Sequence, residues 1–206
     1  MPILKKFSIT GAAGSLEGVM HLPDGEPRAI AVVAHPLPTM GGTMDNKVVT
    51  TLAKTFAELG FIALRFNFRG VGNSEGEFDS GNGETEDVLA IVHHARQEYG
   101  DLPLILSGFS FGGYVQARVA QHLHPHPHRL VLIAPAVGRF AMPRVPHGTL
   151  VIHGDKDEVV PFADMLEWAR EQHLPIVVLP DAEHFFHGRL NQLRELVRHH
   201  FCGHQA

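Results

Sequence analysis

Ser110 lies in Gly108-Phe109-Ser110-Phe111-Gly112, between the apolar run Leu104-Ile105-Leu106 and a stretch from Tyr114 onward with helical character. A short strand buried on both faces, a sharp turn and a helix are therefore expected in succession, with the serine on the tip of the bend. Glycines two residues to either side have a steric reason, because side chains there would collide where the backbone folds back on itself. Such a turn strains the serine backbone and pushes its oxygen outward, over the free N–H groups and positive dipole end of the helix. That environment suits a nucleophile that carries negative charge transiently. The pentapeptide alone also fits a glycine-rich turn with an incidental serine, so its partners decide the matter.

A serine hydroxyl is a poor nucleophile until a base takes its proton, and that base is usually a histidine oriented by a carboxylate. Suitable groups follow two later apolar runs. After His153 comes Gly154-Asp-Lys-Asp-Glu-Val-Val-Pro161, which offers Asp155, Asp157 and Glu158. After Leu179 comes Pro180-Asp-Ala-Glu-His-Phe-Phe-His187, which offers His184 and His187.

The elements that must position these groups alternate along the chain. Residues 4 to 22 read as a hairpin of two edge strands around Gly11 and Gly14. Strands are predicted at 29–34, 61–66, 104–106, 130–134, 149–153 and 175–179, and helices at 48–59, 86–99, from Tyr114, at 161–173 and at 185–201. The long polar loop from Arg69 to Gly83 is of the kind that is functional or mobile. Strand and helix in alternation predict a mostly parallel sheet covered by helices on both faces, with ligands bound beyond the carboxyl ends of the strands.

At 206 residues and 44% hydrophobic the chain suits one domain, and a net charge of -5 without a run of Lys or Arg argues against nucleic acid and an anionic membrane surface. One cysteine, Cys202, excludes an internal disulfide framework and a thiolate metal cluster. The stretch Met1 to Lys6 lacks the apolar region of a signal peptide and nothing approaches a membrane span, so a cytoplasmic location is expected. Histidines cluster at His122 to His128 and at His199-His200, but interleaved prolines give no fixed ligand geometry.

The chain resembles the α/β-hydrolase superfamily over nearly its whole length, most of all its small, lidless, esterase-like branch, similar to dienelactone hydrolases but with Ser for Cys. The resemblance rests on His35-Pro-Leu-Pro, Gly41-Gly-Thr-Met-Asp-Asn46, Arg65-Phe-Asn-Phe-Arg-Gly-Val-Gly-Asn-Ser-Glu-Gly76, Gly108 to Gly113, Gly154 to Pro161 and Glu183-His-Phe-Phe186, in that order. It implies the chain order Ser, acid, His. It implies Asp157 as the acid, with Asp155 a turn residue bonding its own backbone and Glu158 solvated. His184 is the expected base because it follows the last strand at once and precedes two aromatics placed to pack under the final helix; His187 reads as a surface or capping residue.

An oxyanion hole is expected from the N–H of Phe111, next to the nucleophile, and by the superfamily pattern from that of Leu37. His35 is expected to brace the Leu37 loop and Asn46 to cap a helix beside Lys47, while Arg69 and Asn73 are open to either substrate contact or turn structure. Relatives that the chain resembles often insert a helical lid after the strand ending at Ala134. Pro135 to Gly148, with Pro143 and Pro146, leaves no room for one. An open cleft walled by Leu37, Met40, Phe109, Phe111, Val137 and Phe185 suits small or mid-sized esters.

The expected activity is a serine hydrolase acting on carboxylic esters or thioesters through an acyl-enzyme, with a small-molecule ester as partner and no metal or organic cofactor required. Hydrolysis of peptides or lactones by the same triad, and a non-catalytic binding protein on the same fold, are the alternatives. An aspartate-nucleophile dehalogenase is disfavoured by Ser110.

Overall fold

The structure is a computed structural model that describes residues 3–202; Met1 and Pro2 of the amino-terminal stretch lie outside it. Its elements are β1 (Ile3–Gly11), β2 (Gly14–Leu22), β3 (Ala29–Ala34), α1 (Lys47–Glu58), β4 (Phe61–Phe66), α2 (Asn82–Tyr99), β5 (Leu104–Phe109), α3 (Phe111–His122), β6 (Arg129–Ile133), β7 (Leu150–Gly154), α4 (Phe162–Arg170), β8 (Val177–Leu179) and α5 (Leu190–Cys202). The strands form one eight-stranded sheet in the order β1-β2-β4-β3-β5-β6-β7-β8. From β4 to β8 all neighbours are parallel, while β1 pairs antiparallel with β2 and β2 antiparallel with β4. Only β1 of the hairpin is thus an edge strand. The second is interior because it docks on β4, and its later residues are correspondingly buried.

Period-two alternation divides the core between the two faces. Ile30, Val32, Ile62, Leu64, Leu104, Leu106, Leu130 and Leu132 pack with α2, α3 and α4. Ala31, Val33, Phe61, Ala63, Ile105, Val131 and Ile133 pack with α1 and α5 on the other side. Two buried faces are why these strands read as unbroken apolar runs, whereas β1 alternates.

Several boundaries depart from the expected ones. Helix α2 starts at Asn82 rather than Glu86, because the buried Glu84 carboxylate accepts from the N–H groups of Gly81 (2.7 Å) and Asp79 (2.9 Å) and so closes its first turn. The last helix starts at Leu190 rather than Phe185, since Phe186 (φ 55°) and Gly188 (φ 70°) adopt left-handed backbone. Of the two aromatics there, Phe186 is fully buried against α5 residues Leu193 and Val197, while Phe185 is 42% exposed. Helix α4 ends at Arg170 and the last strand is cut to Val177–Leu179.

The long loop is tied to the body of the fold by polar side chains. Arg69 is buried with its N–H 3.0 Å and its guanidinium 2.8 Å from the fully buried Asp87 carboxylate. Asn73 bonds Glu17 through both backbone and side chain (2.9 Å each). Both side chains are thus engaged by carboxylates of the fold itself. Between β6 and β7 no helix intervenes, and among the described residues no helix is long and apolar enough to cross a membrane.

Candidate active site

Strands β3, β5, β7 and β8 run parallel, so the chain leaving each of them emerges on one rim of the sheet. Ser110 follows β5 directly with φ 54° and ψ −117°, a left-handed conformation held by its N–H on the Ile133 carbonyl (2.9 Å) and by its own carbonyl on the N–H of Gly113 (2.9 Å). The glycine rule is met by two different neighbours. A Cβ on Gly108 would lie inside contact distance of the Gly112 carbonyl and 2.5 Å from the Gly113 nitrogen, and one on Gly112 would lie 2.6 Å from the His35 oxygen.

Asp157 lies three residues beyond β7 and His184 five beyond β8, and both turn back toward Ser110. His184 Nε2 is 3.1 Å from Ser110 Oγ, and its Nδ1 is 2.7 Å from Asp157 Oδ2. All three side chains are buried. Asp157 Oδ1 accepts from the N–H groups of Val159 (2.9 Å) and Val160 (2.8 Å), which fixes the carboxylate plane. Burial pulls the Asp157 pKa upward, but the His184 bond, the Val160 N–H and the neighbouring imidazoles outweigh it and leave the group below its ordinary range. An ionised carboxylate only accepts, so Nδ1 carries the hydrogen and Nε2 presents its lone pair to the Ser110 hydroxyl. An imidazole held in this way can take the hydroxyl proton.

The ring of His184 leans on Phe109 (centroids 4.9 Å apart) and meets the edge of Phe185 (5.1 Å). Phe109 is fully buried and is a floor beneath the histidine instead of the predicted cleft wall. Phe111 is likewise buried, against Phe68, Phe78 and Phe140, and Val137 sits in the same core. These three side chains, expected as cleft walls, are turned into the core instead. The cavity over Ser110, of about 230 Å³, is lined by Leu37, Met40, Asn46, Arg139, Val159 and Phe185 together with Pro36, Gly41, Gly42 and His184.

The loop after β3 is shaped by contacts beyond its prolines. Leu37 precedes a single 3₁₀ turn, Pro38–Met40, and its carbonyl accepts from Met40 (3.1 Å) and Gly42 (3.0 Å). Gly42 is required there, since a Cβ would meet the Leu37 oxygen at 2.7 Å. Buried His35 donates from Nδ1 to the Pro36 carbonyl (2.7 Å) and accepts the Phe68 N–H at Nε2 (3.1 Å), bracing the loop as expected. Asn46 caps α1 by accepting from Val48 (2.9 Å). As the first N–H of α3, that of Phe111 has no acceptor within the helix.

The remaining predicted residues have other partners or face solvent. Asp155 accepts from the Asp181 N–H at 2.6 Å, joining the β7 and β8 loops rather than bonding its own turn. Glu158 is exposed, and exposed His187 pairs with Glu183. One neighbour had been passed over. Fully buried His153 donates from Nε2 to the Val160 carbonyl (3.0 Å) and lies 3.7 Å from Asp157 Oδ2; its signal was a histidine inside a buried strand, four residues before the acid.

An eight-stranded, mostly parallel sheet with an N-terminal hairpin, no lid and a serine on the turn after β5 defines the chain as a lidless α/β serine hydrolase. Residues 25–147 match the family model described as serine aminopeptidase, S33, and the chain belongs to that family. It is similar to a lidless α/β serine hydrolase from Xanthomonas campestris, at 40% identity over 96% of this chain and 93% of that one with a TM-score of 0.90. An α/β serine hydrolase homologue from Coxiella burnetii is 42% identical over 94% and 95% of the two chains, with a TM-score of 0.87. Mouse monoglyceride lipase is 30% identical over 118 residues, 56% of this chain but only 37% of the lipase.

Proposed function

We propose that the chain is a serine esterase that cleaves small or mid-sized carboxylic esters or thioesters through an acyl-enzyme. The observation that carries this reading is the continuous hydrogen-bonded series from Ser110 Oγ through His184 to Asp157 Oδ2. In the proposed mechanism the Ser110 oxygen attacks the ester carbonyl carbon while His184 Nε2 takes its proton. Asp157 holds the resulting imidazolium. The carbonyl oxygen, now negative, is received by the N–H groups of Leu37 and Phe111. Collapse expels the alcohol or thiol, which leaves with the proton from His184, and water then repeats the sequence on the acyl-enzyme to release the acid and restore Ser110.

The cavity favours an ester over a peptide with a free amino terminus. An aminopeptidase must recognise a cationic amine, and among the described residues no carboxylate lines the cavity, whose one charged side chain is Arg139. A volume of about 230 Å³, without a lid, supports short acyl groups over long ones.

A fluorophosphonate probe is expected to label the protein and to fail on Ser110→Ala. Labelling that persists in the variant overturns the assignment of the nucleophile. Turnover of p-nitrophenyl and CoA esters of increasing acyl length is expected to fall sharply beyond short chains; a preference for long chains overturns the open-cleft reading, and no turnover at all favours a binding protein.

A further inference from the structure

Most of the cavity wall is apolar, with Leu37, Met40, Val159 and Phe185 contributed by separate loops. Arg139 interrupts that wall. Its guanidinium makes no ion pair or hydrogen bond among the described residues. An acidic side chain beside its turn, Asp164 on α4, lies against Gly138, with Oδ2 3.0 Å from where a Cβ there would be, yet forms no ion pair with Arg139.

An exposed arginine is ordinarily a solvated surface group, but this one stands on a turn fixed at both ends. On one side Val137 is buried, with its N–H on the Pro135 carbonyl (2.7 Å). On the other, Phe140 stacks on Tyr114 (4.8 Å, 20° between planes) and donates to the Ala136 carbonyl (3.3 Å). Ala136 in turn donates its N–H to the carbonyl of Ser110 at 3.2 Å. The turn that carries the guanidinium is therefore hydrogen-bonded to the backbone of the serine itself. Asn46 adds a donor to the cavity, since its side-chain oxygen caps α1 and its amide NH₂ makes no hydrogen bond among the described residues.

A planar cation with all its donors unused, at a site with apolar walls and no carboxylate lining it, favours an anion through charge-assisted hydrogen bonds. It also raises the rate at which anions reach the cleft. We propose that Arg139 makes the site selective for esters that carry a second, anionic group, a carboxylate or a phosphate, within reach of the turn between β6 and β7. The proposal rests on the esterase reading above.

Two matched substrate sets test it. On the acyl side these are p-nitrophenyl esters of pentanoate, of glutarate as the half-ester and of 4-phosphonobutanoate. On the alcohol side they are pentanoyl esters of phenol, of 4-hydroxybenzoate and of 4-hydroxyphenyl phosphate. In at least one set the ratio of kcat/KM for the charged to the neutral member is expected to fall about tenfold in Arg139→Gln, and further in Arg139→Glu. Arg139→Lys should retain part of it, and 0.5 M NaCl should compress it in the wild type. Whichever of the carboxylate and phosphate members gains more identifies the anion, and turnover of the neutral member reports that each variant is folded. A ratio that does not respond to the residue at 139 in either set overturns the proposal while leaving the esterase reading intact. If no ester is turned over, the esterase reading fails instead. Calorimetric titration of Ser110→Ala with glutarate and with inorganic phosphate then decides the anion on its own: binding weakened about tenfold by adding Arg139→Gln supports it, and equal or absent binding overturns it.

Discussion

His35 Nε2 accepts the N–H of Phe68 at 3.1 Å, tying the loop after β3 to the loop after β4 through a ring that is fully buried. Burial lowers the His35 pKa from 6.5 to about 4, with the bond to the Pro36 carbonyl acting against it. Protonation would aim a second N–H at the donor of Phe68. The unfolded chain binds this proton below pH 6.5 and the folded chain only below about 4, so stability falls as pH drops through that interval and levels off beneath it. The loss attributable to His35 is about 3 kcal/mol at most. Urea midpoints at pH 7.5 and 4.5 are expected to differ less in His35→Gln than in the wild type. A residual difference is expected from His21, which burial and the charges of Arg65 and Lys54 also lower to about 4. An equal difference in the two proteins contradicts the account.

Gly112 faces the backbone of the central strand β3, where the Ala34 and His35 carbonyls leave no space for a methyl group. Backbone in the middle of a sheet cannot yield as a side chain can. Gly112→Ala and Gly108→Ala are each expected to cost about 3 kcal/mol or more, seen as a lowered denaturant midpoint, and to abolish turnover in whatever remains folded. Gly148→Ala is the control. A Cβ at Gly148 meets nothing within 4 Å, so its midpoint should stay near that of the wild type.

The fold was most legible in the sequence where an element is buried on both sides, although β5 extends three residues beyond the apolar run Leu104-Ile105-Leu106. The strands Ala29–Ala34 and Phe61–Phe66 were bounded to the residue because every position in them is apolar or covered. Helix starts were less legible where a tertiary contact sets them. Asn82-Gly-Glu84 looks like loop until Glu84 is seen accepting two N–H groups, and Phe185-Phe186 keeps helical spacing although Phe186 is left-handed. At the site, what was readable is that Ser110, Asp157 and His184 lie on loops leaving one rim of the sheet, although β5 runs on to Phe109, directly before the serine. What could not be read is which way residues beside them face: Phe109 and Val137 turn inward, and Arg139 outward into the cavity. The pairing of Arg69 with Asp87 is equally long-range, joining a loop to the middle of a helix.

That pair separates a structural from a substrate-contacting role for the long loop. Asp87 is fully buried, and Asp87→Ala would leave the Arg69 guanidinium without its main partner, Glu86 being largely exposed. Removing one member of a buried pair costs about 3 to 5 kcal/mol. A fall of the denaturant midpoint by that amount is expected, with KM for a short neutral ester little changed. A raised KM at unaltered stability is the opposite outcome, and would return Arg69 to the substrate.

Asp157 and Asp155 stand two residues apart on one loop, and their partners make opposite forecasts for the same chemical change. In Asp157→Asn, the amide oxygen can still accept from Val159 and Val160, so the loop keeps its shape. The NH₂ that replaces Oδ2 cannot accept from His184 Nδ1–H. The imidazole is then driven to carry its hydrogen on Nε2, where it no longer has a lone pair for the Ser110 proton. Ester turnover is expected to fall about 10⁴-fold with little change in thermal midpoint. In Asp155→Asn the amide oxygen still accepts from the Asp181 N–H, and turnover should stay within a few-fold of the wild type. Equal losses in the two variants would mean that the loop acts through its shape alone, and the carboxylate at 157 would then have no role in holding the base.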